Sequence, residues 1–264
     1  MRLPVALGCL FFVFNQFQGF ANEVRNNTVA KTHTPSSRIQ IGPNYTHASI
    51  RPHGHTTFNG NLGGAQGIYE YRPANNFYGG AKLAWRQGHT HSQAGSRSLL
   101  YADAQERLGY TFACSQNAWR WTFFSGVGYR HLGQTFNPKH SSSIKFRYNE
   151  IYIPVGTIIN YTTSSWFGIG LAATWMPQVY PTVKIEPLKG ARWILKDKIS
   201  NFSVELPLTF ILTASKRFSL ILNPSYEYWQ DGKSTAKTSS GIPLDLPSNT
   251  YNFWGLDLNL AYSF

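Results

Sequence analysis

Four histidines stand in two close pairs, His53-Gly54-His55 and His89-Thr90-His91. Residues two apart on an extended segment point the same way, and neutral imidazoles are ligands for zinc, copper or nickel. The pairs sit in the first two connections at one end of the architecture read below, so His53, His55, His89 and His91 form a candidate metal site. No carboxylate ligand accompanies them, and His-x-His is common by chance. The plainer reading is imidazoles that gain charge below about pH 6.5. A hydrolase or acyl-modifying enzyme would need an acid-base or nucleophilic set at the same rim. His89, His91, His131 and Ser92 are there, but form no recognisable set. No catalytic residue is assigned and no cofactor is implied.

A second group of charges alternates with large apolar residues. The acids are Glu70, Asp103, Glu150, Glu205, Glu227 and Asp257; the bases are Lys82, Arg86, Arg107, Arg120 and Arg130, with Arg147 of uncertain phase. The two signs are nearly balanced. Unpaired buried charge is costly, so a balanced set inside a narrow space is expected to pair. The basic residues Lys184, Lys189, Arg192, Lys196 and Lys198 crowd one stretch, opposed only by Glu186 and Asp197. Five bases less two acids give this stretch a net +3, and with about half of the acids inside, the formal charge of +12 is expected mainly in loops and tails.

The elements that position these residues are strands. From the end of the chain, Phe264, Tyr262, Leu260, Leu258, Leu256 and Trp254 fall on one face, and mostly small or polar residues on the other. Strand side chains alternate between faces. The same alternation places Trp119, Trp121, Phe123, Val127 and Tyr129 together, likewise Phe167, Ile169, Leu171, Ala173 and Trp175, and likewise Phe202, Val204, Leu206, Leu208, Phe210 and Leu212. Ten segments follow: 38–50, 57–72, 76–88, 98–112, 119–133, 144–161, 165–179, 199–212, 217–229 and 251–264. Eight is the alternative count, with one hairpin lost to a loop. Glu106 falls on the apolar face. Ile144, Phe146 and Tyr148 are out of step with Ile151, Ile153 and Val155, which a bulge near Asn149 would repair. Pro154 and Pro207 are expected at bulges or strand ends.

Connections alternate in length. Those at 73–76, 113–118, 162–165 and 213–216 are short; 89–97, 134–143, 180–198 and 230–250 are longer and polar. Short turns on one side and long loops on the other are the habit of outer-membrane barrels. Of the 264 residues, 42% are hydrophobic, 16% aromatic and only 14% charged. No apolar run after the N-terminus reaches the roughly 18 residues of a membrane helix, whereas alternating strands average to a mild hydropathy. Residues 1–21 read as a signal peptide, with Arg2, an apolar core from Val5 to Phe14, and small residues before Asn22. Residues 22–37 read as a flexible periplasmic lead-in and 38–264 as one all-β, antiparallel, up-and-down transmembrane barrel. Cys9 leaves with the signal, so Cys114 is the sole thiol and no internal disulfide forms.

The terminal strand, the alternating segments and the loop asymmetry resemble the OmpA-like and opacity-type superfamily of small bacterial outer-membrane barrels. The resemblance spans most of the mature chain and assigns no subfamily. It implies a bacterial outer-membrane location, with lipid and lipopolysaccharide as surroundings. It also implies that the terminal strand, from Trp254 to Phe264, is read by the barrel assembly machinery. A barrel of eight to ten strands is barely wider than its own side chains. The expected function is therefore structural or surface interaction, with the lumen plugged by paired charges and basic outer loops that meet lipopolysaccharide or other anionic surface ligands. The alternatives are a narrow porin-like channel for small solutes and an outer-membrane enzyme. Export and strand pattern set nucleic acid aside despite the basic pI.

Overall fold

In a computed structural model of the chain, the residues described are 36–264, except 115–117, 140–141, 187–191, 214 and 235–245. The signal peptide, most of the lead-in and Lys189 lie outside them. Fourteen β-segments are present: β1 (Ser37–Pro52), β2 (Phe58–Tyr71), β3 (Asn76–Ser92), β4 (Gly95–Cys114), β5 (Trp119–Pro138), β6 (Ile144–Tyr152), β7 (Val155–Thr162), β8 (Phe167–Trp175), β9 (Thr182–Glu186), β10 (Arg192–Ile194), β11 (Phe202–Glu205), β12 (Leu208–Ile211), β13 (Phe218–Asp231) and β14 (Asn249–Ser263). Every pairing is antiparallel, and β1 pairs with both β2 and β14, which closes the sheet. The result is a ten-strand barrel. β6 with β7, β8 with β9, and β10 with β11 and β12 each trace one interrupted strand.

The interruptions have a cause in the sequence. Pro154 separates β6 from β7 and Pro207 separates β11 from β12, as expected of residues that cannot donate to a ladder. The freed groups are taken up across the gap: Ile153 N–H donates to the Pro177 carbonyl at 3.1 Å, and Gly170 N–H to that of Pro207 at 2.8 Å.

The outer wall carries an apolar band. Trp119, Trp121, Phe123, Val127 and Tyr129 all point outward on β5 and are 40–51% exposed. From Trp119 to Tyr129 the strand rises about 33 Å, or about 25 Å along the axis at a barrel strand's usual tilt, which matches a transmembrane band. Trp254, Leu256, Leu258, Leu260, Tyr262 and Phe264 point outward as well, and the intervening Phe253, Asp257, Asn259 and Ala261 are buried inside.

Glu106 also faces outward within this band, between Ala81 of β3 and Val127 of β5. A carboxylate on a lipid-facing wall costs stability according to depth. Glu106→Leu is expected to raise the unfolding free energy by about 1 kcal/mol in urea titrations of the barrel folded into vesicles. A fall in stability would show that the carboxylate has a partner in the membrane.

Above the band the polarity inverts, and here the sequence reading needs correction. β6 itself carries no bulge near Asn149: it pairs with β5 without a skip from Phe136–Ile144 to Gly128–Tyr152, and the one-residue slip beside it falls on the neighbouring strand, between the Asn149–Thr182 and Tyr152–Gln178 pairs. Ile144, Phe146 and Tyr148 point into the barrel while Lys145, Arg147 and Asn149 point out. The strands continue past the membrane into water, where an apolar side chain belongs inside. The supposed loop at 89–97 is largely strand, as are residues 134–138 of the one at 134–143, and β3 and β4 are joined by a turn of Gln93 and Ala94. The stretch at 180–198 contains the hairpin of β9 and β10.

Candidate functional site

The interior is layered. Near the rim where β1 begins and β14 ends, Arg38 of β1 donates to Glu70 of β2 at 2.5 Å, and Gln40 donates to the same carboxylate at 3.2 Å. Higher up, Lys82 of β3 reaches across the lumen to Glu205 of β11 at 2.8 Å, and Asn223 bridges Glu205 and Asp257 at 3.1 Å each.

The middle level is built around Arg130. Asp103, Arg130 and Glu150 are cross-strand neighbours on β4, β5 and β6, so all three enter the lumen at one height. The Arg130 side chain is 2% exposed; it pairs with Glu227 of β13 and lies 3.9 Å from Asp103. It donates to the Tyr101 hydroxyl at 2.8 Å and lies over the Trp229 ring, 3.4 Å from its centre. Arg86 lies 3.5 Å from Glu227, and Tyr152 donates to Asp103 at 2.7 Å. Gly128 is required beneath this layer, because a Cβ there would collide with the Tyr152 ring.

The outer level is an apolar core. Ile50, Phe58, Leu62, Leu99, Leu132, Tyr148, Met176, Val183, Ile185, Trp193, Leu195, Trp229, Tyr251 and Phe253 fill the lumen here. Trp193 and Trp229 have no exposed surface. Polar groups within it are tied together: Tyr251 donates to Asp231 at 2.6 Å, Gln134 to Tyr251 at 2.8 Å, and Arg97 to Gln134 at 2.8 Å.

Of the lumen residues read from the sequence, Glu70, Lys82, Arg86, Asp103, Arg130, Glu205 and Glu227 stand in ion pairs. Arg107 instead donates to Gln105 at 2.9 Å and covers the Phe124 ring. Asp257 meets Asn223. Arg120 lines a cavity at the terminal rim. Glu150 is 1% exposed, with one carboxylate oxygen lacking a hydrogen bond. The sequence reading missed Arg38, Arg72, Arg97 and Asp231. Arg72 is buried just past β2; burial pushes it down to about 10 while Glu70 pulls it back up, so it stays cationic at neutral pH.

Of the basic residues assigned to one outer loop, Lys184 and Arg192 stand on a sheet surface. Lys184 of β9 lies directly between Arg147 of β6 and Arg192 of β10. All three are exposed. Lys145 is beside them, and Glu186, 2.6 Å from Arg147, supplies the local acid. Lys196, exposed, and Lys198, half-buried, lie in the segment between β10 and β11.

The histidines are not gathered. His89 and His91 lie on the outer face of β3 rather than in a loop, opposite Asn61 and Asn59, and His89 Nδ1 is 3.1 Å from the Ser98 hydroxyl. His53 and His55 lie in the turn after β1. Among the described residues no group of three or more His, Cys, Asp or Glu is placed to hold a metal ion. This removes the geometric basis for a four-histidine site.

Comparison with protein-family models gave no match, and comparison with curated protein sequences gave none. Solved structures do match. The outer membrane protease OmpT from Escherichia coli superposes with a TM-score of 0.57 at 10% identity, covering 90% of this chain and 99% of that one. The translocator domain of the autotransporter NalP from Neisseria meningitidis matches at 0.48 and 9% identity, over 98% and 97%. Neisserial surface protein A matches at 0.37 and 10% identity, over 87% and 97%. The fold class is therefore that of a closed, antiparallel ten-strand β-barrel, an architecture this chain has in common with the outer membrane protease. At these identities the likeness concerns the fold alone.

Proposed function

We propose that this protein is an integral barrel of the bacterial outer membrane, exported by its N-terminal signal, whose lumen is closed and whose work is done on its outward surface. The observation that carries the reading is the filled interior: the Arg130 knot and the apolar core above it occupy successive levels of the lumen. A solute crossing the barrel would have to displace both. The termini-bearing rim is then periplasmic, and the strand extensions with Arg147, Lys184 and Arg192 stand outside the cell.

The cationic row stands at a useful height. Arg147 is about 13 Å along the strand from Ile151, at the edge of the apolar band, or about 10 Å above it after tilt. Headgroups occupy that depth. Like charges directly opposite on neighbouring strands repel, and phosphate groups of lipopolysaccharide or another anionic surface would relieve that. A narrow solute channel is the second reading, supported by the charged lower lumen.

Planar-bilayer recording of the refolded barrel separates the two. Insertion with no discrete conductance steps is expected, with folding verified by a heat-modifiable band on a denaturing gel. Steady unitary openings in the unmodified protein would sink the closed-lumen reading.

A further inference from the structure

The periplasmic mouth has a charge imbalance that the pairing higher in the lumen does not share. Arg38, Arg72, Arg107 and Arg120 face this region, and Glu70 is the single carboxylate that faces it from the described side chains. Glu70 is already committed to Arg38 and Gln40. Arg107 is engaged by Gln105 and the Phe124 ring. Arg72 is 8% exposed; it donates to the Asn160 side-chain oxygen, and its Nε has no acceptor. Arg120 forms no ion pair among the described residues.

Arg38, Glu70, Arg72 and Arg120 line a cavity of about 210 Å³ that opens at the mouth. Its wall includes Glu70, Arg72, Arg120, Asn160, Thr162 and Thr209. A water molecule takes up about 30 Å³ of liquid, so a phosphate-sized oxyanion fits together with some of its hydration. Withdrawing a guanidinium from water without a counter-charge is unfavourable. Arg72 is so withdrawn with only Glu70, already shared with Arg38 and Gln40, to answer it; Arg120 stands beside it, and a planar guanidinium with several N–H donors is the group best matched to phosphate or carboxylate.

We propose that this cup binds an oxyanion entering from the periplasm, a phosphate or carboxylate group held by Arg72 and Arg120. The wall hydroxyls and amide supply the remaining hydrogen bonds. The inference does not depend on what the outer surface contacts, and it survives whether or not the upper lumen conducts.

The test is calorimetric titration of the full barrel, refolded in a non-ionic, phosphate-free detergent buffer at fixed ionic strength. The titrants are inorganic phosphate, acetate and a short-chain phosphatidylglycerol. Saturable phosphate binding is expected. Arg72→Gln and Arg120→Gln should each weaken it by about ten- to hundredfold, the effect of a lost charge-assisted hydrogen bond. Glu70→Gln removes the one competing carboxylate and should tighten it. That gain cannot come from a misfolded sample, and heat-modifiability checks folding of the arginine variants. Arg147→Gln, far away on the outer wall, should leave it unchanged. Binding of the short-chain lipid in preference to free phosphate, with the same dependence on Arg72, would assign the site to a headgroup. Preference for acetate with that dependence would assign it to carboxylates. No saturable binding of any titrant, or binding indifferent to Arg72, Arg120 and Glu70, overturns the proposal.

Discussion

Arg130→Met is expected to destabilise the barrel by about 3–5 kcal/mol, the usual consequence of removing one partner from a buried ion pair. The size follows from what remains. Glu227 would keep Arg86 at 3.5 Å and the Tyr101 hydroxyl at 3.2 Å. Asp103 would keep the Tyr152 hydroxyl and the Gln105 amide, at 2.7 Å and 3.1 Å. Both carboxylates, largely withdrawn from water, would lose their central cation, and Trp229 would lose the guanidinium over its ring. Adding Glu227→Gln to Arg130→Met should recover a large part of the loss, because the second change removes the orphaned charge. Urea unfolding in lipid vesicles, followed by tryptophan fluorescence, measures both variants. An additive double mutant would mean that the two residues do not share an energetic unit.

What the sequence made legible follows the solvent on each side of the wall. In the membrane band the outside is lipid and the inside is polar, so β5 and β14 show a clean alternation and their faces can be assigned by counting in twos. The ion pairs Lys82–Glu205 and Arg86–Glu227 join strands far apart in the chain. Facing and near balance of charge were readable there, but the choice of partner needed the closed ring. Above the band the same strands enter water, and the apolar side turns inward. Tyr148 and Ile151 are then both correctly placed, on opposite faces of one unbroken strand, although a single lipid-facing rule makes them look out of phase. The same inversion disguised β9 and β10 as a basic loop: Lys184 and Arg192 face water while Val183 and Trp193 enter the core. Arg38 and Arg72 escaped notice for another reason. They stand at the rim, at or beyond the edge of the alternating apolar pattern, where nothing in the local sequence marks them as facing the lumen.

Neutralising the outer row, with Arg147, Lys184 and Arg192 all replaced by Gln, should weaken association with lipid A phosphates by about 3 kcal/mol, or roughly a hundredfold. That estimate takes about 1 kcal/mol per cation at an anionic surface and about 1.4 kcal/mol per tenfold change in affinity. Barrel stability should move the other way in the absence of lipid A. The three cations repel as cross-strand neighbours, and Glu186 answers chiefly Arg147 and Lys145. The unliganded triple variant is therefore expected to be as stable as the parent or slightly more so, which separates a binding row from a structural one. Titrating lipid A into labelled barrel in mixed micelles, at low and at raised salt, reads both the affinity and its electrostatic part. The parent should lose affinity as salt rises and the variant should be nearly insensitive, because exposed charges are screened over about 10 Å at 0.1 M ionic strength. Equal affinities for parent and variant at low salt would show that this face is not where the barrel meets phosphate. A parent curve indifferent to salt would show that the contact is not carried by charge.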